Sequence, residues 1–170
     1  MVKACAVRGA LCAGMLLAAP RALAAQDDVI GIPLGATPPA VTLENLNGDT
    51  VSLSRWVGKK PVIVEFWATW CPVCEELLPR MESAQKKYGD RAEFLVIAVA
   101  VNQSKNTIRR HLQRHPMPFT FLWDGSGAAV RAFRAPATSY VAVLDAQGKV
   151  VYTGIGADQD IEGALLRAVR

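Results

Sequence analysis

Two kinds of apolar pattern predict β-strands along this chain. Polar and apolar residues alternate over 41–43 and 50–53, on either side of Asn47-Gly48, a dipeptide that favours the positive φ of a tight hairpin turn. Continuous apolar runs at 61–67 and 94–101 are typical of buried central strands. Three further strands are predicted at 119–123, 139–144 and 149–155, of which the last two form a hairpin.

Apolar residues at helical spacing predict four helices between and after these strands. The longest covers 72–88 and ends before Gly89. Shorter helices are predicted at 106–115 and 127–133, and Asp158 or Asp160 caps a last helix that runs to 169. This order of elements predicts a mixed sheet with helices on both faces. The first helix begins where a central strand ends, the place at which catalytic groups gather in such sheets.

The N-terminal segment has a different pattern. Lys3 and Arg8 accompany an apolar run at 9–19, and Ala22-Leu23-Ala24 is a small-x-small cleavage site. This order predicts a secretory signal peptide at 1–24, with an uncleaved membrane anchor as the alternative. The run is shorter than the ~20 residues of a spanning helix. Residues 25–40 are rich in turn formers and are interpreted as a lead-in to one domain at 41–170.

Charge excludes one class of function. The whole chain has 19 basic and 15 acidic residues, but the segment 1–24 contains three of the basic ones, so the remainder carries a net charge of only +1. Nucleic-acid-binding domains usually concentrate a strong basic excess, so no nucleic-acid partner is expected. The basic residues at 105–114 are interpreted as the solvated face of a helix.

Cysteine usage points to redox chemistry. Cys5 and Cys12 fall in the predicted leader, which leaves Cys71 and Cys74 in the domain. Two cysteines three positions apart close almost no loop, so their disulfide would contribute little to stability. In an oxidising compartment such a C-x-x-C pair is expected to be a working centre rather than a structural bridge.

Disulfide exchange needs one thiolate that attacks and a second thiol that releases the mixed disulfide. Cys71 is expected at a helix N-terminus, where free N–H groups and the helix dipole favour a thiolate. Cys74 would lie one turn inside the helix, within bonding distance of Cys71. Pro72 suits the first helical position because it has no N–H to leave unsatisfied.

The stretch Val64 to Cys74 (VEFWATWCPVC) resembles the active-site strand and helix start of the secreted TlpA/ResA-like thiol–disulfide oxidoreductases. The resemblance extends to Leu46-Asn47-Gly48, to Pro79 and to the turn that begins at Asp145. It implies a thioredoxin-like α/β fold of three layers, with helices on both faces of a mixed sheet and an N-terminal β-hairpin. It further implies a periplasmic monomer without a cofactor that exchanges disulfides with protein clients and receives electrons from a membrane donor.

Glu65 is the second candidate catalytic residue. An acid inside an apolar strand is costly to bury unless it is paired or has a functional role. The alternative is an edge strand, which would leave the carboxyl exposed to solvent. By resemblance, Glu65 would accept the proton of Cys74 when that thiol attacks the mixed disulfide. Burial should raise its pKa toward the range of a general base.

Candidate substrate-binding residues are Trp70, Pro72 and Pro136. Trp70 is expected to border the substrate groove, although a tryptophan beside a core strand often only packs. By resemblance, a loop with a cis-proline faces the disulfide, and Pro136 is the proline available for it. Pro136 lies about three residues farther from Asp145 than the family pattern implies, so Ser139 is the alternative occupant of that position.

The chain departs from related patterns in two places. Leu77 occupies a position where TlpA/ResA-type sites can carry an acid, and Glu75 and Glu76 are interpreted as first-turn partners of the helix dipole. Ala68 stands where related peroxidases have a threonine, which argues against peroxidase activity.

Metal binding is the competing class of function. The alternative to a disulfide reductase is a Cu(I) chaperone that uses the two cysteines as soft ligands. His111 and His115 have i, i+4 spacing that could hold a metal, but they lie far from the cysteines along the chain, so no metal site is predicted. The reductive direction rests on the resemblance, with cytochrome c maturation or copper-site assembly as the implied settings.

Overall fold

The computed structural model of the chain describes Met1 and residues 30–170, so the predicted signal peptide, apart from Met1, lies outside the described residues. Within residues 30–170, seven strands and four α-helices follow one another, with a short 3₁₀ turn at Leu53–Arg55 after the second strand. In chain order they are β1 Thr42–Asn45, β2 Thr50–Ser52, β3 Val62–Trp67, α1 Pro72–Tyr88, β4 Glu93–Val99, α2 Lys105–Arg114, β5 Thr120–Asp124, α3 Ala128–Ala132, β6 Val141–Leu144, β7 Val150–Gly154 and α4 Ile161–Ala168.

All seven strands form one mixed sheet in the order β2-β1-β5-β4-β3-β6-β7. The pairs β3–β4 and β4–β5 are parallel, and the remaining pairs are antiparallel. Strand β3 lies between β4 and β6, and all six of its residues are buried. The predicted α/β class, the N-terminal hairpin β1–β2 and the buried central strand at 61–67 are therefore confirmed.

Both faces of the sheet are covered, as predicted. Alternation along β3 turns Ile63, Glu65 and Trp67 to one face, and Ile63 packs there with buried residues of α1 and α4. Helix α2 covers the same face, because its His111 ring lies edge-on against Trp67. On the opposite face Phe66 packs against Phe133, which follows α3.

The lead-in is bonded to the domain. The Ile32 N–H donates to the Tyr140 hydroxyl at 3.1 Å, and the Gly35 N–H donates to the Val150 carbonyl at 2.7 Å. Gly31 has φ +81°, and an added Cβ there would lie 2.2 Å from the Tyr140 hydroxyl, so only glycine fits. Residues 31–36 thus cover Tyr140 at the start of β6, a role that their composition did not predict.

Candidate active site

The two cysteines lie where β3 passes into α1. Cys71 is the N-cap residue of α1, with extended backbone, and its Sγ accepts the N–H of Cys74 at 3.1 Å. Pro72 occupies the first turn, as the sequence predicts, where the missing N–H leaves no helical bond unmade. Glu75 is the acidic residue of that turn. The end of a buried strand and the start of a seventeen-residue helix thereby hold the pair in place.

Cys71 and Cys74 form a disulfide with a Cα–Cα distance of 5.3 Å. Both side chains are buried in this oxidised form, to 3% and 2% exposure. Exposure therefore does not separate the two sulfurs while they are bonded. What separates them is their position at the helix start, because Cys71 lies at the N-cap, where the unpaired N–H groups point, and Cys74 lies one turn inside.

Glu65 lies in the middle of β3, on the face that packs against α1. Its exposure is 2%, and its Oε1 has no hydrogen-bond partner among the described residues. Burial in this apolar strand raises its pKa to about 8, from the 4.5 of a free glutamate. The alternative of an edge strand with a wet carboxyl is thus wrong, because β4 and β6 flank β3 on both sides.

Exposed apolar side chains lie at the end of the sheet that carries the disulfide. Strands β3, β4 and β7 run in the same direction, so the segments that follow them lie at the same end of the sheet. Trp70 is 45% exposed, and its indole N–H donates to the Val101 carbonyl at 2.7 Å. Val73 within the C-x-x-C segment and Ile155 after β7 are also exposed. We call Trp70, Val73, Val101 and Ile155 the apolar collar.

The prediction that Pro136 is the cis residue beside the disulfide is wrong. No peptide bond between the described residues is cis, and Pro136 is exposed. Ser139 borders the end of β3 instead: its N–H donates to the Phe66 carbonyl at 2.8 Å, and its backbone has φ +62°. Proline has no N–H and a fixed negative φ, so it could not make this contact. The Gly156 N–H donates to the Ser139 hydroxyl at 3.2 Å and helps to hold the loop.

Leu77 is fully buried beneath the active-site turn. It packs with Ile63 and Met81 in the core shared by α1, α4 and the sheet. A carboxylate at this position would need a partner that the apolar core does not offer. The position at which related sites can carry an acid is therefore occupied in this chain by a residue that packs in the core, Leu77.

A pocket that the sequence did not predict opens beside Cys74. Its volume is about 260 Å³, and its walls include Trp67, Cys74, Glu75, His111 and His115. Separation along the chain hid this arrangement, because α2 folds back over the face of β3 that carries Trp67. A usable signal was the spacing of His111 three residues after the fully buried Ile108, which places both on the packed face of α2. No group of three or more His, Cys, Asp or Glu within the described part of the chain is arranged to hold a metal ion.

Comparisons with known proteins agree with this geometry. The model of the Redoxin family matches residues 33–166. The thioredoxin-like protein YneN of Bacillus subtilis is 32% identical over 143 residues, 80% of this chain and 81% of that protein. The thiol-disulfide oxidoreductase ResA of Halalkalibacterium halodurans is 29% identical over 122 residues, 71% of this chain and 68% of that protein.

Solved structures show the same fold. A Chlorobium tepidum structure described as a thiol:disulfide interchange protein DsbE superimposes with a TM-score of 0.72 at 26% identity, over 82% of this chain and 99% of that one. No helix among residues 30–170 is both long and apolar enough to cross a membrane. The family match, the relatives and the cysteine pair at the start of α1 lead to one conclusion. The chain belongs to the Redoxin family and is a thiol–disulfide oxidoreductase of the ResA type with a thioredoxin-like fold.

Proposed function

We propose that the chain is a periplasmic disulfide reductase that acts on partner proteins, as in cytochrome c maturation or copper-site assembly. The observation that carries the proposal is a disulfide at the N-terminus of α1, at the end of the sheet where the apolar collar lies. The helix start favours a thiolate at Cys71, and the collar offers apolar contacts to a polypeptide. The relatives described as thiol-disulfide oxidoreductases support the same reaction.

In the proposed reaction the Cys71 thiolate attacks one sulfur of a client disulfide. A bond forms between Cys71 and that sulfur, and the other client sulfur leaves as a thiolate. Cys74 then loses its proton and attacks Cys71, which closes the internal disulfide and releases the second client thiolate. Two electrons pass from the protein to the client. Glu65, on the strand face beneath the start of α1, is the buried carboxyl proposed to exchange a proton with Cys74.

The collar favours protein clients over small thiols. Its four side chains come from three segments that meet at one end of the sheet, and all four are exposed, so they form a surface. Exposed apolar surface of this kind beside a reactive group is suited to an extended segment of a partner protein. Trp70 is the largest member, and its hydrogen bond to Val101 holds the ring in place.

The proposed location follows from the segment 1–24, interpreted as a signal peptide that is removed before Ala25. A reductase in an oxidising compartment must regain its electrons after each turnover. A membrane protein that passes electrons from the cytoplasmic side is therefore the proposed donor.

The proposal is tested in the native host by quenching cells with acid and alkylating free thiols. The mature protein should appear in the periplasmic fraction with Ala25 as its first residue. Cys71 and Cys74 should be largely thiols in unperturbed cells and should become a disulfide when the electron donor is removed. A pair that is mostly disulfide in unperturbed cells, together with ready oxidation of reduced peptides by the purified protein, would contradict the reductive direction.

A further inference from the structure

Cys74, the second cysteine of the pair, lines a pocket on the surface of the molecule. Cys74 forms part of the wall of the 260 Å³ pocket between α1 and the end of α2, together with Trp67, His111 and His115. The collar lies at the edge of the sheet, where Cys71 meets the client. The pocket instead reaches Cys74 from the side of α2. Its volume is several times the ~30 Å³ that one water molecule occupies in the liquid, and its imidazoles can bond water.

Resolution of the mixed disulfide requires a proton acceptor at neutral pH. The pKa of Glu65 lies at about 8, so most of this carboxyl already holds a proton at neutral pH. A protonated carboxyl cannot take the proton of Cys74 until it has lost its own. Glu65 is buried, and its Oε1 has no hydrogen-bond partner among the described residues. No described side chain is therefore placed to carry a proton from Oε1 to solvent. Another base near Cys74 would remove this restriction.

His111 is placed to be that base. Its ring lies edge-on against Trp67, with 5.4 Å between ring centroids, and Trp67 is two residues from Glu65 on the same face of β3. The ring of His115 follows at 5.0 Å and is exposed. The charged and titratable groups that act on His111 are Glu75 from α1, and Arg114 and His115 from its own helix and the residue after it.

The protonation state of His111 fits this position. Partial burial is the largest influence and lowers its pKa below the usual 6.5, and the neighbouring His115 and Arg114 lower it further. Glu75 acts in the opposite direction and is the weakest of the four influences. The imidazole is therefore neutral at neutral pH, where it can accept a proton.

We propose that His111 accepts, through water in the pocket, the proton that Cys74 loses when it attacks the mixed disulfide. This inference rests on the proposed thiol–disulfide exchange at Cys71 and Cys74. In the step, the Sγ–H bond of Cys74 breaks and its proton passes to the His111 ring. The Cys74–Cys71 bond forms, the bond between Cys71 and the client sulfur breaks, and that sulfur leaves with the electron pair. His111 then passes its proton to solvent past the exposed His115.

The test follows two thiols released from an aromatic disulfide, dithiobis(nitrobenzoic acid), by the reduced protein. The first coloured thiol reports attack by Cys71, and the second reports attack by Cys74 on the mixed disulfide. The nitrothiophenol product leaves as an anion, so the pH dependence of the second phase reports deprotonation of Cys74. A second phase whose rate is independent of reagent concentration confirms that it is intramolecular.

The unchanged protein should show a second-phase rate with two limbs, one below pH 6.5 from His111 and one near pH 8 from Glu65. His111→Gln should remove the lower limb and slow the second phase at neutral pH by roughly tenfold or more, less than the ~100-fold of a full general-base effect because Glu65 remains as an acceptor. Glu65→Gln should remove the upper limb. In both variants the first phase should be unchanged. Arg110→Gln, an exposed change on the same helix, is the matched control and should change neither phase.

Chemical rescue separates a proton-transfer role from a packing role against Trp67. Added imidazole should restore the second phase of His111→Ala in proportion to its neutral form. An unaltered lower limb in His111→Gln, or slow resolution that imidazole does not restore, would overturn the assignment of His111. Failure to release a second thiol in the unchanged protein would instead contradict the proposed exchange reaction itself.

Discussion

At the scale of single residues, burial has its largest effect on a pKa at Glu65, among the described residues. Its carboxyl is removed from water by β4, β6 and the helices on its face, and its Oε1 has no hydrogen-bond partner there. Burial disfavours the charged form, so the folded protein binds the proton more tightly than the unfolded chain does. The same residue that is proposed to exchange a proton with Cys74 therefore makes the stability of the fold depend on pH.

The sign of this dependence follows from the two pKa values of Glu65. Its pKa is about 8 in the folded protein and near 4.5 when unfolded, so its neutral form is favoured by folding. The contribution to stability is fully present below pH 4.5 and is lost as pH rises through about 8. At about 1.4 kcal/mol per pKa unit, the loss amounts to roughly 3–5 kcal/mol for such a group.

Glu65→Gln keeps the shape of the side chain and removes its ionisation. Urea unfolding of the oxidised proteins measures the free energy of unfolding of each. The difference between the variant and the unchanged protein should shift in favour of the variant by roughly 3–5 kcal/mol from pH 5 to pH 9. Glu76→Gln, an exposed change on α1, is the control and should show no such trend. A difference between Glu65→Gln and the unchanged protein that stays constant from pH 5 to pH 9 would show that the carboxyl titrates normally.

The residues of the site differ in how far the sequence could predict them. Three site residues were identifiable from local patterns. Cys71 and Cys74 form a pair of thiols at a predicted helix start, and Glu65 is an acid inside an apolar strand. Ser139 was named only through the family resemblance, as the alternative to Pro136, and His111 was not identifiable as a near neighbour of the site. Their positions depend on which strands pair and on the path of α2 across the sheet, and those are long-range properties.

At the scale of elements, the first turn of α1 sets the chemical difference between the two cysteines. Cys71 at the N-cap faces the free N–H groups of the turn, one of which, from Cys74, its Sγ already accepts at 3.1 Å. In the reduced protein these dipoles favour a thiolate at Cys71, whereas Cys74 lies one turn inside the helix. Because both sulfurs are equally buried in the disulfide, we attribute the difference to the helix start and not to exposure.

This difference predicts selective alkylation of the reduced protein. Near pH 6, iodoacetamide should modify Cys71 faster than Cys74, by roughly tenfold or more, because the thiolate is the reacting form. Peptide mapping by mass spectrometry after short reaction times measures the two rates separately. Unfolding in urea should abolish the preference, since it removes the helix. Equal rates in the folded protein would mean that α1 does not tune the pair.

The elements themselves were largely predictable, and α1 shows why. Its bounds in the structure, Pro72–Tyr88, are those that the apolar spacing and Gly89 predict. The predicted strand at 94–101 ends at Val99 instead, because the chain bends at 100–102, where Asn102 has φ +51°, and leads into α2. Local patterns thus specify where an element lies, while its last residues depend on the neighbours it meets.

At the scale of the whole molecule, the strand order brings three separate segments to the disulfide. Strands β3, β4 and β7 run in the same direction, which places Trp70, Val101 and Ile155 at the end of the sheet that carries Cys71. The sequence predicted the mixed sheet and its central strand from the alternation of elements. The collar and the pocket beside Cys74 arise from pairings between distant strands and helices, for which a single sequence carries no local signal.

The central claim is that Cys71 attacks a disulfide and Cys74 resolves the product. The most direct measurement is the intact mass of reduced variants after reaction with a peptide that contains one disulfide. Cys74→Ser should accumulate a stable one-to-one adduct on Cys71, the unchanged protein should end as its internal disulfide with the peptide reduced, and Cys71→Ser should form adduct far more slowly. If Cys71→Ser forms its adduct as readily as Cys74→Ser does, or if neither variant forms one, the assignment of the two cysteines is contradicted.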